Sequence, residues 1–246
     1  MTTVASEPAR LDTPSYGPVF FWINVVAAWF AVALSFTLNV TGYYVDQADP
    51  TKPTILGNVP DGIDTVSERL FDWITYFTIL SNIVVAVVLT MLVAKPSLFT
   101  RRDGVGTLWR TLRLDSVLMI IITGVVYNLL LATGGKTGWD LLSNTMLHVA
   151  GPLLTVIVWL VAGPRGLITG RIIGLSLILP LVWAAFALTR GQVVGAYPYS
   201  FLDVSANGWA SVLSFIAVIM VVAVILALIL MAIDAGLRRL ARPSQD

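Results

Sequence analysis

Cysteine is absent from this chain of 246 residues, and histidine occurs once. No disulfide, thiol nucleophile, iron–sulfur cluster or cysteine-ligated zinc site can be built from such a sequence. A single imidazole rules out bis-histidine haem and argues against a histidine-rich metal site. No cofactor and no metal are therefore expected. Charge is also scarce: Asp, Glu, Lys and Arg make up 12% of the residues, where soluble domains average about 25%. A formal net charge of +1 gives no reason to expect a nucleic-acid partner. The stretch 1–17 lacks the short basic start and compact apolar core of a secretory signal. The apolar run that follows it reads as an uncleaved helix.

What the chain has in abundance is apolar length. Hydrophobic residues make up 57% and mean hydropathy is +0.85. A helix needs about 20 apolar residues to cross the hydrocarbon. Six stretches qualify, at roughly 18–42, 70–94, 114–132, 141–162, 170–189 and 210–236. The expected fold is all-α: a polytopic membrane protein, a six-transmembrane-helix bundle over 18–236 with polar tails at 1–17 and 237–246. No fixed repeat is visible, and Pro152 and Pro180 read as local kinks.

Basic residues set the orientation. Arg10, Lys95, Arg101, Arg102, Arg110, Arg113, Arg165, Arg171, Arg238, Arg239 and Arg242 fall on one side; Lys52, Arg69, Lys136 and Arg190 fall on the other. Both termini are expected in the cytoplasm, with the protein multi-pass in a cell membrane (a bacterial inner membrane or a plasma membrane). The outer loops then hold Asp46, Asp49, Asp61, Asp64, Glu68, Asp140 and Asp203. In the last outer loop, Tyr197, Tyr199 and Phe201 read as an aromatic belt at the headgroups. Nothing in the sequence fixes an oligomeric state.

The single histidine, His148, lies inside the fourth span. An ionisable group at that depth is costly and is a functional candidate by default. A neutral imidazole can take a proton from a hydroxyl and return it near pH 7. Counting from the outer ends of their helices, His148 is about 10 Å down and Thr78 of the second span about 12 Å. The second span presents Asp72, Thr75, Thr78 and Asn82 at spacings of three and four, and the fourth presents Asn144, His148, Gly151 and Thr155. Such residues share a helix face. The third span adds Tyr127 and Asn128 near its outer end.

Threonine is a weak nucleophile that needs an adjacent base and a group to orient that base. Thr78 and His148 are the candidate pair, with Asn144 a candidate orienter. Asn82, Asn128 and Tyr127 are candidate oxyanion donors. Asp203 is the only outside candidate for a third member. Taken singly, these residues have plain readings too: Asn and Ser as interhelical glue, Thr bonded back to a carbonyl one turn earlier, Trp183 and Tyr127 as packing, Asp72 as a solvated acid.

Three phrases carry a family resemblance. They are Tyr76-Phe77-Thr78-Ile79-Leu80-Ser81-Asn82; Asn144-Thr145-Met146-Leu147-His148 with Pro152 following; and Ala196-Tyr197-Pro198-Tyr199-Ser200-Phe201-Leu202-Asp203 before the last span. Together they resemble the androgen-induced-protein family of six-helix membrane hydrolases, its bacterial branch above all, over about 18–236. The resemblance implies an intramembrane threonine hydrolase that cleaves the ester between a fatty acid and a hydroxy fatty acid. By motif, Thr78 would be its nucleophile and His148 the partner. The expected partners are a membrane lipid or fatty-acid ester as substrate, and the bilayer itself. Two other readings stand beside it: a small proton-responsive transporter, and a non-catalytic lipid-binding protein. The transporter needs a polar route through both leaflets. The inner halves read as drier, with Thr155 on the fourth span, Thr90 on the second and Asp234 at the end of the last.

Overall fold

The computed structural model describes residues 11–44, 65–132 and 136–240. The tail residues 1–10 and 241–246, and the outer-loop residues Asp46, Asp49, Lys52, Asp61 and Asp64, lie outside the described residues. Six helical stretches among those described are long and apolar enough to cross a membrane. The protein is an all-α, multi-pass membrane protein.

The elements in order are α1 (Gly17–Val40), α2 (Val66–Thr75), α3 (Phe77–Ala94), the short α4 (Ser97–Thr100), α5 (Gly104–Val126), α6 (Gly138–Thr145), α7 (Gly151–Ala162), α8 (Gly170–Ser176), α9 (Ile178–Val194) and α10 (Val204–Leu240). One π turn, Tyr127–Leu131, continues α5, and a second, Met146–Ala150, joins α6 to α7. Two of the expected spans are interrupted. The second breaks at Tyr76, whose backbone is extended (φ −71°, ψ 130°), and the fifth turns at Leu177 before Pro180. The third span begins ten residues earlier than its hydropathy suggests, at Gly104, because Arg110 and Arg113 lie within the helix. Asp103 caps its first turn, accepting from the Gly106 N–H; hydrogen bonds from Arg101 and that amide hold its carboxyl well below the usual carboxylate range.

Lipid is as apolar as leucine, so helices in a bilayer associate through close packing and internal hydrogen bonds. The contacts obey this. α3 is the most buried span and packs between α1 and α5, with Ala28, Ala31 and Ala86 fully buried where backbones approach. Polar pairs join the helices: Asn24 with Thr155 at 3.3 Å, Trp73 Nε1 to Ser35 Oγ at 2.9 Å, Ser81 with Thr123 at 2.8 Å. α10 is mostly exposed and leaves a gap beside α5.

The first and last of the described residues come together on one face of the bundle. Asp12 bridges to Arg165 through the backbone, and its carboxylate lies 3.8 Å from Arg238. The half of the bundle nearest that face is more polar than expected. Arg113 and Asp115 are buried on α5. Arg113 donates to the Gly163 carbonyl and Ser116, and Asn24 and Thr155 bond each other, so these four side chains are engaged in packing.

Candidate active site

The break at Tyr76 creates the site. A continuous helix would bond the Thr75 carbonyl to the Ile79 amide; here Ile79 N–H donates to Tyr76 instead. Two groups from the last third of the chain satisfy the break. Trp183 Nε1 donates to the Thr75 carbonyl at 2.9 Å, and the Tyr199 hydroxyl oxygen accepts from the Thr78 amide at 3.2 Å. Thr78 is therefore a first-turn residue of α3. Thr37, Thr75, Thr90, Thr111 and Thr189 all bond back to the carbonyl four residues earlier. Thr78, with an extended residue two positions before it, points its hydroxyl across the bundle.

That hydroxyl lies 3.2 Å from His148 Nε2. The other ring nitrogen, Nδ1, lies 3.0 Å from the Asn144 carbonyl oxygen. A carbonyl only accepts, so Nδ1 carries the proton and Nε2 of the neutral ring presents its lone pair. The Thr78 O–H then donates to Nε2. Tyr199 Oη is 3.2 Å from Thr78 Oγ. With the threonine proton already committed, the tyrosine O–H is the donor in that pair. One directed chain results: Tyr199 O–H to Thr78 Oγ, Thr78 O–H to His148, His148 Nδ1–H to the Asn144 carbonyl. The depth match between the second and fourth spans is thus realised as side-chain contact, with Thr78 only 7% exposed.

The π turn around His148 explains the neighbouring amides. Gly151 N–H reaches back five residues to the Met146 carbonyl, and Pro152 has no N–H to offer. The carbonyls of Leu147 and His148 lose their helical donors, and buried carbonyls need others. Asn82 Nδ2 donates to Leu147 at 3.3 Å and to Thr78 at 2.8 Å; Asn128 Nδ2 donates to His148 at 3.2 Å and to Gly124 at 2.8 Å. These two asparagines are struts for the histidine turn, and their N–H groups are not free for an oxyanion as the sequence suggested. Asn144 orients the imidazole through its backbone carbonyl, not its side chain. Tyr127 stacks on the imidazole, ring centroids 3.8 Å apart at 22°. It holds the plane of the ring.

Other expectations change as well. Asp203 is buried and caps α10, accepting from the Ser205 and Ala206 amides and the Ser205 hydroxyl; it is not a third member of the dyad. Asp72 is no solvated acid: it pairs with Arg190 of α9, both side chains 15% exposed. Tyr197 is buried, Tyr199 touches Thr78, and Phe201 stacks on Tyr199 at 5.2 Å, so the 197–201 segment is a wall of the site and not a headgroup belt. The sequence signals for Tyr199 and Trp183 were an aromatic cluster behind Pro198 and an indole in mid-span.

Thr78, Tyr127 and Tyr199 line a partly open groove between α3, α5, α9 and α10. The rest of its wall is almost wholly apolar, with Ile122, Phe215, Ile219 and Ala223 among its residues. The chain matches no family model, no curated protein and no solved structure.

Proposed function

We propose that this chain is an intramembrane ester hydrolase of the androgen-induced-protein type, acting on fatty-acid esters of hydroxy fatty acids or similar acyl lipids. The observation that carries the reading is the Thr78–His148 contact with its tautomer set by the Asn144 carbonyl. In this reading Thr78 Oγ attacks the acyl carbonyl while its proton passes to Nε2. The tetrahedral intermediate collapses, the ester C–O bond breaks, and the leaving alkoxide takes the proton from His148. Water, deprotonated by the same nitrogen, then cleaves the acyl-threonine to free acid and Thr78. The apolar groove that Thr78 lines suits an acyl chain. The excess of Lys and Arg on the side of the bundle where Asp12 meets Arg238 supports cytoplasmic ends and a site in the outer half of a cell membrane.

The test is ester turnover by purified protein in detergent, with a long-chain acyl ester as substrate. Thr78→Ala and His148→Ala are each expected to abolish turnover while retaining a folded, monodisperse protein. Full activity in either variant refutes the mechanism.

A further inference from the structure

The geometry points to Tyr199 as the catalytic donor to the developing oxyanion, an inference that rests on the hydrolase reading above. Asn82 and Asn128 are committed to backbone carbonyls, so the electrophilic side of the site must be supplied from elsewhere. Tyr199 is the side-chain donor in direct contact with the nucleophile, whereas Tyr127 meets the site through its ring, stacked on the imidazole. The Tyr199 hydroxyl is 3.2 Å from Thr78 Oγ, and Tyr199 and Thr78 both line the groove. In a tetrahedral adduct on Oγ, the former carbonyl oxygen is two bonds from Oγ, within reach of a donor placed about 3 Å from the nucleophile.

The resting hydrogen bonds prepare this switch. Before attack, the tyrosine proton is donated to Thr78 Oγ, a neutral hydroxyl with lone pairs to spare. On attack, Oγ forms its bond to carbon and becomes a weak ester-type acceptor, while the C=O π electrons move onto the carbonyl oxygen. The tyrosine proton then turns to the stronger acceptor without leaving the phenol. Throughout, the phenol oxygen can keep the Thr78 N–H as its own donor at 3.2 Å. A donor that is itself hydrogen-bonded in this way is polarised and strengthened. The stacked ring of Phe201 and the edge contact from Tyr76, at 5.7 Å, hold the phenol in place.

A long-chain alkyl fluorophosphonate reads this role without knowledge of the natural ester. Thr78 Oγ attacks phosphorus, the P–F bond breaks, fluoride departs, the threonine proton goes to His148, and negative charge builds on the phosphoryl oxygen. Labelling is followed by intact mass and peptide mapping of the full chain in dodecyl maltoside. Wild type is expected to label at Thr78, and Tyr199→Phe to label it about 100-fold more slowly. Equal labelling rates overturn the role of Tyr199 and leave the hydrolase reading standing. Absence of any label on Thr78 in wild type overturns both.

If Tyr199→Phe does not fold, replacement of Tyr199 by 3,5-difluorotyrosine keeps the shape and carries the test. Its ionisation is followed by fluorine NMR. Labelling should fall as that phenol ionises, because a phenolate has no proton to donate, while wild type stays active over the same pH range. Labelling that is indifferent to the fluorine transition overturns the proposal.

Discussion

Gly191 of α9 lies directly beneath the ring of Tyr197: a β-carbon at position 191 would overlap the Cδ1 and Cε1 atoms of that ring. The same tyrosine is tied to Gln192 by a 2.5 Å hydrogen bond. Two residues later comes Tyr199, so the absence of a side chain at 191 sets where the site's phenol can lie. Gly191→Ala is expected to push the 197–201 segment away from α9 and to slow ester turnover roughly tenfold or more, since small displacements of positioned groups are costly. Thermal unfolding in detergent, measured alongside, should fall by a few degrees only. Wild-type turnover in this variant would show that the segment does not position Tyr199.

The struts predict a different pattern. Asn82 is buried and Asn128 exposed, yet each holds a carbonyl of the π turn. Asn82→Leu should cost about 1 kcal/mol of stability, in keeping with interhelical bonds in bilayers and with an orphaned buried carbonyl. Asn128→Leu should cost less, because Asn128 is exposed. Turnover should drop with stability in both, and not by the hundredfold expected for loss of an oxyanion donor. Chemical denaturation in micelles, paired with initial rates, separates these outcomes.

How much of this the sequence disclosed depends on the kind of signal. Six apolar runs are a strong signal because the bilayer leaves helices few alternatives, and each run corresponds to a spanning stretch. The similar depth of Thr78 and His148 was legible because helix rise converts residue number into depth; their contact was not, since depth leaves helix rotation open. The break at Tyr76 was not, since it carries no Pro or Gly; it exists because Trp183 and Tyr199 satisfy its open backbone groups from 108 and 121 residues away. The asparagine roles were hidden for the same reason. Asn reads alike as an oxyanion donor and as a strut until the carbonyls released by the π turn and Pro152 are located.

Asp72 and Arg190 pair across α2 and α9 with little exposure on either side. Breaking one partner of such a pair leaves a partly desolvated charge, whereas removing both does not. Arg190→Met and Asp72→Asn should each destabilise by about 1–3 kcal/mol, and the double variant by clearly less than their sum. Because this pair ties the α2 side of the Tyr76 break to the helix that carries Trp183, both single variants should also lower turnover. Additive stabilities in the double-mutant cycle would mean that the two charges are held by other contacts.

Pro152 is the residue whose replacement discriminates most sharply between packing and catalysis. Its missing N–H is the reason the His148 carbonyl turns to Asn128, and it follows directly on the Gly151 amide that closes the π turn on Met146. Pro152→Ala restores a donor four residues after His148, so an ordinary helical bond can form there. Each residue of an α-helix advances about 100°, and loss of the extra π residue would rotate the imidazole away from Thr78. The helix itself gains a hydrogen bond and a residue of high helix propensity. The expected result is an unfolding temperature equal to or above wild type, with ester turnover and Thr78 labelling down at least roughly tenfold. Backbone amide exchange at 146–152 would show the shift in hydrogen bonding. Undiminished turnover together with a regular helix at 146–152 would mean that the π turn is not what aims His148 at the threonine.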